Sequence, residues 1–493
     1  MLLLGIDLGT SSVKATVIDA ASQKILASAT YPDSEAEIIS LKPGWAEQDP
    51  DTWWTYVQKA ILKCNTKQKY DSKAIKSIGI SYQMHGLVLV DKNKNVLRNA
   101  IIWCDSRAVD IGNKAFEKIG KEYCLPCLLN SPGNFTASKL AWIKEHEPDI
   151  YAQVDKIMLP GDFIAMKLTG EISTSISALS EAVLWDFKKD TLSEEVMQYY
   201  GFDKNLIPTI QSVFSIHGML KKEMAERLSL AEDAVVAYKA GDQPNNALSL
   251  NVLQAGEVAA TAGTSGVIYA VSDKVTYDEQ SRINSFAHVN YKPEDKKIGI
   301  LLCLNGTGIF YKWLRNIVAQ KISYEEMNQL AQDVEAGSKG LLALPFGNGS
   351  ERILNNQFLG GQFHGIDFNL HTTAHLVRAT LEGIAFSFRY GLDIMRLNGI
   401  SPKVVKTGKA NMFLSNVFAQ TFADINNVVV EFYEGDGSYG AAIGAGIGSG
   451  YYKNASEGSL NRKSISKIEP NTSSILNKSY EKWATIIQEQ LHQ

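Results

Sequence analysis

Cysteine is scarce. The 493 residues hold five, Cys64, Cys104, Cys124, Cys127 and Cys303. So few, and an odd number, exclude a disulfide scaffold and suit the reducing cytoplasm. No apolar run approaches the roughly 20 residues of a membrane span. The opening Met1-Leu2-Leu3-Leu4-Gly5-Ile6-Asp7 lacks a basic flank and is interrupted by an acid. It reads as a buried first strand and not as a secretory leader. An excess of one charge sign is also missing. Lys and Arg total 49 against 53 Asp and Glu, a net charge of −4. That balance argues against a nucleic-acid or anionic-membrane partner, which would call for a basic excess.

What remains is an ordinary globular composition, 45% hydrophobic and 21% charged. At roughly 100–200 residues per domain, the length predicts two to four domains with real cores. Residues 2–6, 13–18, 77–81 and 87–90 read as strands, rich in Val, Ile and Leu and bounded by Gly, Asp or Ser. Residues 52–64 read as a helix introduced by Asp49-Pro50-Asp51. Residues 374–395 carry apolar side chains at helical spacing. Residues 475–491 put Ile475, Leu476, Tyr480, Trp483, Ile487 and Leu491 on one face, as in a terminal helix docked on a surface. Mixed elements of this kind predict an α/β fold.

The chain also contains a repeat. The segment beginning Gly5-Ile6-Asp7-Leu8-Gly9-Thr10-Ser11 aligns without gaps on the one beginning Ala259-Ala260-Thr261-Ala262-Gly263-Thr264-Ser265. Six of fifteen positions are identical. Each copy reads strand, tight Gly-Thr-Ser turn, strand, and two copies half a chain apart suggest two domains on one plan. Such a turn offers consecutive backbone N–H groups and two hydroxyls, a nest for phosphate oxygens. Asp7 stands at the end of the first strand, where a bare carboxylate would repel phosphate. It is therefore a candidate Mg²⁺ ligand, directly or through water. The second copy has Thr261 there. Ala240-Gly241-Asp242-Gln243-Pro244 reads as a boundary between the halves.

Further segments follow in order: Gly44-Trp45-Ala46-Glu47-Gln48-Asp49-Pro50, Gln83-Met84-His85-Gly86, Trp103-Cys104-Asp105-Ser106-Arg107, Leu159-Pro160-Gly161-Asp162, Gly241-Asp242-Gln243, Gly263-Thr264-Ser265-Gly266 and Gly435-Asp436-Gly437-Ser438-Tyr439-Gly440. With the first hairpin, this series resembles the FGGY family of carbohydrate kinases, and within it the xylulokinase branch. The resemblance runs from residue 2 to about residue 450. It implies the two-lobe actin/hexokinase/Hsp70-like ATPase fold, in which a ribonuclease H-like domain is duplicated. Residues 1–241 would form a sugar-binding lobe and residues 242–493 a nucleotide-binding lobe.

The same resemblance implies an enzyme that uses ATP and Mg²⁺ to phosphorylate D-xylulose at its 5-hydroxyl. Asp242 would be the general base and Asp7 would organise the metal. Met84, His85, Asp105 and Gln243 would contact the sugar. Thr10, Ser11, Gly263, Thr264, Ser265, Gly408, Ala410 and Asn411 would contact the nucleotide. A carboxylate suits the base role, because a sugar hydroxyl is a poor nucleophile until its proton is accepted. Ribulose, gluconate, fuculose and glycerol are the alternative acceptors. Glycerol kinases carry an Arg-Glu pair where this chain has Met84-His85. Thr407-Gly408-Lys409-Ala410 departs from the family's usual Gly-Gly-Gly-Ala run, which puts nucleotide affinity in question, with Lys409 a compensating phosphate contact. A homodimer is a family-level expectation.

Further motifs point elsewhere or read as ordinary structure. Gly120-Lys121 and Gly408-Lys409 are followed by Glu122 and Ala410, so neither completes a P-loop. Gly435-x-Gly437-x-x-Gly440 matches the dinucleotide pattern and offers an NAD-dependent oxidoreductase as a remote alternative. Cys124-Leu125-Pro126-Cys127 is a lone pair and reads as two reduced thiols. His371 and His375 read as a surface helix start. The lysine-bearing residues 63–76 read as a solvated helix end and loop. Trp103 reads as core filling.

Overall fold

The computed structural model describes residues 1–66, 70–459 and 463–492. The first half is organised by a six-stranded sheet. Its strands are β1 (Leu2–Leu8), β2 (Val13–Asp19), β3 (Ile25–Tyr31), β4 (Ile75–Tyr82), β5 (Phe214–Met219) and β6 (Val235–Gly241), ordered β5-β6-β4-β1-β2-β3. β1, β2 and β3 form an antiparallel meander, while β1, β4 and β6 run parallel. Helix α1 (Pro50–Thr66) crosses this half. The Asp49 carboxylate accepts the Asp51 and Thr52 N–H groups at 3.1 Å, and Pro50 occupies the first helical position, so the start signal works as read. A short helix, α2 (Ile176–Glu181), packs near β6 and reaches across to the second half.

Helix α3 (Asp242–Ser249) follows β6 and leads into the second half. Its sheet contains β7 (Val258–Ala262), β8 (Gly266–Ser272), β9 (Asn284–Ala287), β10 (Ile298–Leu304), β11 (Val404–Gly408), β12 (Val429–Tyr433) and β13 (Ser466–Ile468). The order is β9-β10-β8-β7-β11-β12-β13. β7, β8 and β10 repeat the antiparallel meander, and β11 and β12 continue parallel to β7. The plan of the first sheet thus recurs, and the two copies of the sequence repeat are the hairpins β1–β2 and β7–β8. Helices of this half include α4 (Gly308–Val318), α5 (Thr373–Leu397), α6 (Gly437–Gly448) and α7 (Ser474–Leu491).

Residues 88–90 form a strand as read, paired with Lys156–Met158 outside both large sheets. Two expectations need correction. Ile475 is exposed, and α7 docks instead through buried Leu476, Ile487 and Trp483, whose indole N–H donates to the Ala343 carbonyl at 2.8 Å. Trp103 is 52% exposed and is not core. In the stretch 63–76, Lys63, Lys73 and Lys76 bond to Asp33, the Leu230 carbonyl and Asp233, while 67–69 lie outside the described residues. Cys124 and Cys127 are free and buried, and burial pushes the Cys124 thiol up to about 12.

Helix α6 joins the halves. It follows β12 in sequence but lies on the first sheet, against β1, β4 and β6. Its sequence, GSYGAAIGAGIG, buries ten of twelve residues. The fit requires glycine on the sheet as well. A Cβ on Gly5 would stand 1.8 Å from the Ser438 carbonyl oxygen, and one on Gly79 would stand 1.9 Å from that of Ala441. Helix α3 makes the reverse crossing. It follows β6, yet touches α6, β7 and β8, and Asn245 donates to the Gly437 carbonyl at 2.8 Å.

Because the obstacle at Gly5 is backbone, Gly5→Ala is expected to cost about 1–3 kcal/mol or more of stability. Urea unfolding measures it; an unchanged midpoint would show that α6 can lift off the sheet freely.

Candidate active site

Asp7 ends β1 opposite Lys14 of β2. It lines a cavity of about 280 Å³ together with Thr261, Gly408, Ala410, Asn411 and Asp436. Thr261 is the repeat partner of Asp7, so the two hairpins flank one cleft. A larger cavity of about 690 Å³ adjoins it, sharing Ala262 and Asn411, and is lined by Gly263, Thr264, Tyr311, Asn328 and Met412 among others. The first turn of α4 braces the hairpin tip: the Gly308 and Ile309 N–H groups donate to the Gly263 and Thr264 carbonyls at 2.9 and 3.1 Å. Asn411 holds a left-handed φ of 53°, a conformation its short polar side chain tolerates. Gly408 faces open space. Lys409 is exposed and does not line either cavity.

Gly437 lets α6 start beside Asp7; a Cβ there would come within 2.4 Å of the Asp7 Oδ2. Asp436 caps α6 by accepting from the Ser438 and Tyr439 N–H groups, and it ion-pairs with Lys14. Burial, reinforced by the charge of Asp436, pushes the Asp7 carboxyl up to about 6, while a hydrogen bond from Ser81 and the Lys14 charge oppose the shift. Thr10, Ser11 and Ser265 stay at the hairpin tips outside both cavities. Ser11 and Ser265 are exposed, and Thr10 Oγ1 donates to Gln83 at 3.2 Å and accepts from the Trp103 indole at 2.9 Å.

Asp242 opens α3 at the crossing between the halves. Burial first, and then the charge of Asp7, push its carboxyl up to about 7, against hydrogen bonds from Gln243. Met84 is buried against Gly241, where a Cβ would lie 2.6 Å from Met84 Cγ. His85 holds a left-handed φ of 61°. Its Nδ1 lies 3.1 Å from the Glu181 carbonyl oxygen, which can only accept. Nδ1 therefore carries the proton, and Nε2 is left as an acceptor. Burial, with the charge of Lys139, pushes the imidazole down to about 3, so it is neutral.

The groups behind His85 are buried. Lys139 donates to the His85 and Ile102 carbonyls at 2.8 and 3.0 Å, and burial pushes it down to about 7. Glu181 accepts from Tyr82 OH at 2.8 Å and from the His85 N–H at 3.3 Å. Asp105 is fully buried. Its oxygens accept from Arg107 and from the Ala46 N–H, so it braces this wall from within.

Known proteins match this chain along its length. Residues 2–249 match the N-terminal domain of the FGGY family of carbohydrate kinases, and residues 258–449 its C-terminal domain. The chain belongs to the FGGY family. A xylulose kinase of Haemophilus influenzae is 31% identical over 98% of both chains. Among solved structures, a xylulose kinase of Rhodospirillum rubrum superposes with a TM-score of 0.88 at 24% identity, covering 100% of both chains. A gluconate kinase of Lactobacillus acidophilus superposes with 0.89 at 22%, covering 99% of this chain and 98% of its own. The two-lobe architecture is thus the actin/hexokinase-like fold of these kinases, and this chain is an ATP-dependent sugar kinase.

The kinase gives the Gly435-x-Gly437-x-x-Gly440 motif a use other than dinucleotide binding. Gly437 admits Asp7, and a Cβ on Gly440 would lie 2.8 Å from the Ser249 Cβ of α3. The next strand, β13, pairs antiparallel to β12, so no parallel β-α-β unit follows. Several side chains of the site were missed from sequence. Lys14 had a signal, a lone cation between the buried Val13 and Ala15 of a strand. Lys139 and Glu181 had none, because they reach the site only through contacts with the distant His85.

Both Asp7 and Asp242 titrate above the ordinary carboxylate value of 3.8. The folded chain therefore holds protons that the unfolded chain has released, and stability falls as pH rises from about 4 to 7. Asp242→Asn removes one such buried charge. It is expected to be on the order of 1–3 kcal/mol more stable than the parent at about pH 8, with little difference near pH 4. Urea titrations at both pH values check it; an equal offset at both would contradict the burial of this charge.

Proposed function

We propose that this kinase transfers the γ-phosphoryl group of ATP to the 5-hydroxyl of D-xylulose, with Asp242 as general base. The observation that carries this is the position and charge state of Asp242. It stands where the halves cross, electrostatically coupled to Asp7 of the phosphate cavity, and its carboxyl is pushed up to about 7. A carboxylate so poised accepts a hydroxyl proton near neutrality as the oxygen attacks. The acceptor preference is supported by the xylulose kinase at 31% identity.

In this reading the sugar lies between Asp242 and the Met84-His85 turn. Neutral His85 accepts a hydroxyl hydrogen at Nε2, and Met84 supplies an apolar wall. The triphosphate follows the paired cavities past Gly263, Thr264 and Asn411. Asp7 fits a Mg²⁺ site: it is a buried carboxylate with a second acid nearby, and Mg²⁺ typically takes one or two carboxylates and keeps waters. Mg²⁺ bound there would neutralise phosphate charge, and Asp7 would hold it directly or through water. Approach of the halves excludes water from the reacting oxygens.

A coupled ADP-release assay over D-xylulose, ribulose, gluconate, fuculose and glycerol tests the reading. D-xylulose is expected to give the highest kcat/KM, and a higher value for another acceptor overturns the assignment. Asp242→Ala is expected to bind sugar normally while kcat falls about 10²–10⁴-fold; near-normal turnover would remove Asp242 from the base role. His85→Ala is expected to raise the sugar KM more than the ATP KM.

A further inference from the structure

The second half of the chain lies beside the Met84-His85 turn through edge strand β9. This strand is stitched to the first half. Ser177 of α2 donates to the Ala287 carbonyl at 2.8 Å, the Ala287 N–H donates to Ser180 at 2.9 Å, and Asn130 donates to the Ser285 carbonyl at 2.6 Å. Phe286 of β9 packs on His85 with ring centroids 5.3 Å apart. Strand alternation puts Asn284 on the same face as Phe286. The Asn284 Oδ1 accepts a hydrogen bond from the Arg352 guanidinium. Arg352 is thereby tethered beside the face that meets His85.

This guanidinium is underused. Among the described residues it makes that one hydrogen bond and no ion pair. The neighbouring Glu351 is committed elsewhere, accepting from the Asn305 and Gly306 N–H groups at 2.9 and 3.1 Å. The charge of Arg352 reaches both His85 and Cys303 of β10, and Cys303 in turn senses Asp242. Arg352 keeps some exposure but lies deep enough that burial holds its guanidinium below the ordinary value, and beyond Asn284 its donors have no hydrogen-bond partner among the described residues. A guanidinium presents these donors as a rigid planar fork, which matches a pair of adjacent oxygens better than a single hydroxyl.

We propose that Arg352 is a specificity-determining contact to the acceptor, donating to the adjacent carbonyl and hydroxyl oxygens at the ketose end of the sugar. This rests on the reading above, in which Asp242 takes the proton at the opposite end. His85 of the first half accepts from the sugar, and Arg352 of the second half donates to it, so the acceptor is gripped by groups of both polarities only when both halves surround it. The fork selects a ketose over the polyol formed by reducing its carbonyl.

The test compares kcat/KM for D-xylulose and for xylitol, its carbonyl-reduced counterpart, in the full-length enzyme and in Arg352→Met and Arg352→Lys. The parent is expected to prefer the ketose. Arg352→Met is expected to lose roughly 10- to 100-fold in kcat/KM for the ketose, far less for the polyol, with the ATP KM moving less than about threefold. Arg352→Lys restores part of the preference. Equal losses on ketose and polyol, an unchanged ketose KM, or an equal rise in the ATP KM would overturn the proposal. Should Arg352→Met fail to fold, Asn284→Ala, which frees the guanidinium from its tether, is expected to narrow the ketose-to-polyol ratio; an unchanged ratio overturns the proposal. Should another sugar prove the best acceptor, the D-xylulose reading fails, while the same ratio on that sugar and its reduced form still decides Arg352. A parent enzyme that favours the polyol also overturns it.

Discussion

The close seating of α6 on the first sheet fixes where the charged groups of the cleft stand. The helix belongs by sequence to the second half, yet its backbone lies within contact of Gly5 and Gly79 in the first. Only glycine on the sheet and small residues on the helix permit that approach, and the stability lost to glycine flexibility is accepted for the geometry. The consequence is electrostatic. Asp436 at the start of α6 arrives beside Lys14, and Gly437 arrives against Asp7. Helix α3 crosses in the other direction and carries Asp242 at its first residue. Two exchanged helices thus deliver one carboxylate each to a cleft whose third acid, Asp7, comes from the first strand.

Burying several acids together is unfavourable unless something offsets it. Lys14 does so for Asp436, whose carboxyl lies below its ordinary value. Asp7 and Asp242 have no such full compensation, and burial pushes both upward. On the sugar side the polarity is arranged differently. His85 is kept neutral, Lys139 spends its donors on two backbone carbonyls, and Asp105 is saturated by Arg107 and the Ala46 N–H. Asp242, the Nε2 of His85 and the guanidinium of Arg352 are among the groups that keep bonding capacity. A stable fold tends to consume its buried polar groups internally, so those left over mark where a ligand completes the bonding.

The parts of this arrangement legible in the sequence are those with a local signature. The duplicated hairpin could be aligned because Gly9-Thr10-Ser11 and Gly263-Thr264-Ser265 are tight turns that restrict residue choice. The long helix α5 was legible from its apolar spacing, and α1 from Asp49-Pro50. What depended on distant contacts was not. Trp103 looks like core from its indole, but a single bond to Thr10 keeps it at the cleft mouth, half exposed. The glycines of α6 match a dinucleotide pattern because close backbone approach demands glycine whatever is approached, a phosphate or another helix. Lys139 and Glu181 act on the site only through the backbone of His85, and no spacing in sequence encodes a contact across roughly 50 or 100 residues.

The identity of the acceptor is a separate matter from the fold. A xylulose kinase and a gluconate kinase superpose on this chain almost equally, at 0.88 and 0.89. The architecture itself is therefore indifferent to which sugar is presented. Discrimination has to reside in side chains that differ in polarity while leaving the backbone unchanged. In the proposed reading the Met84-His85 turn is one such place, a neutral acceptor beside a thioether. Under the proposal above, the tethered Arg352, at the start of a short 3₁₀ turn, is another. In the proposed reading the acceptor is held fully only where both halves surround it, so recognition of the sugar and exclusion of water become one event.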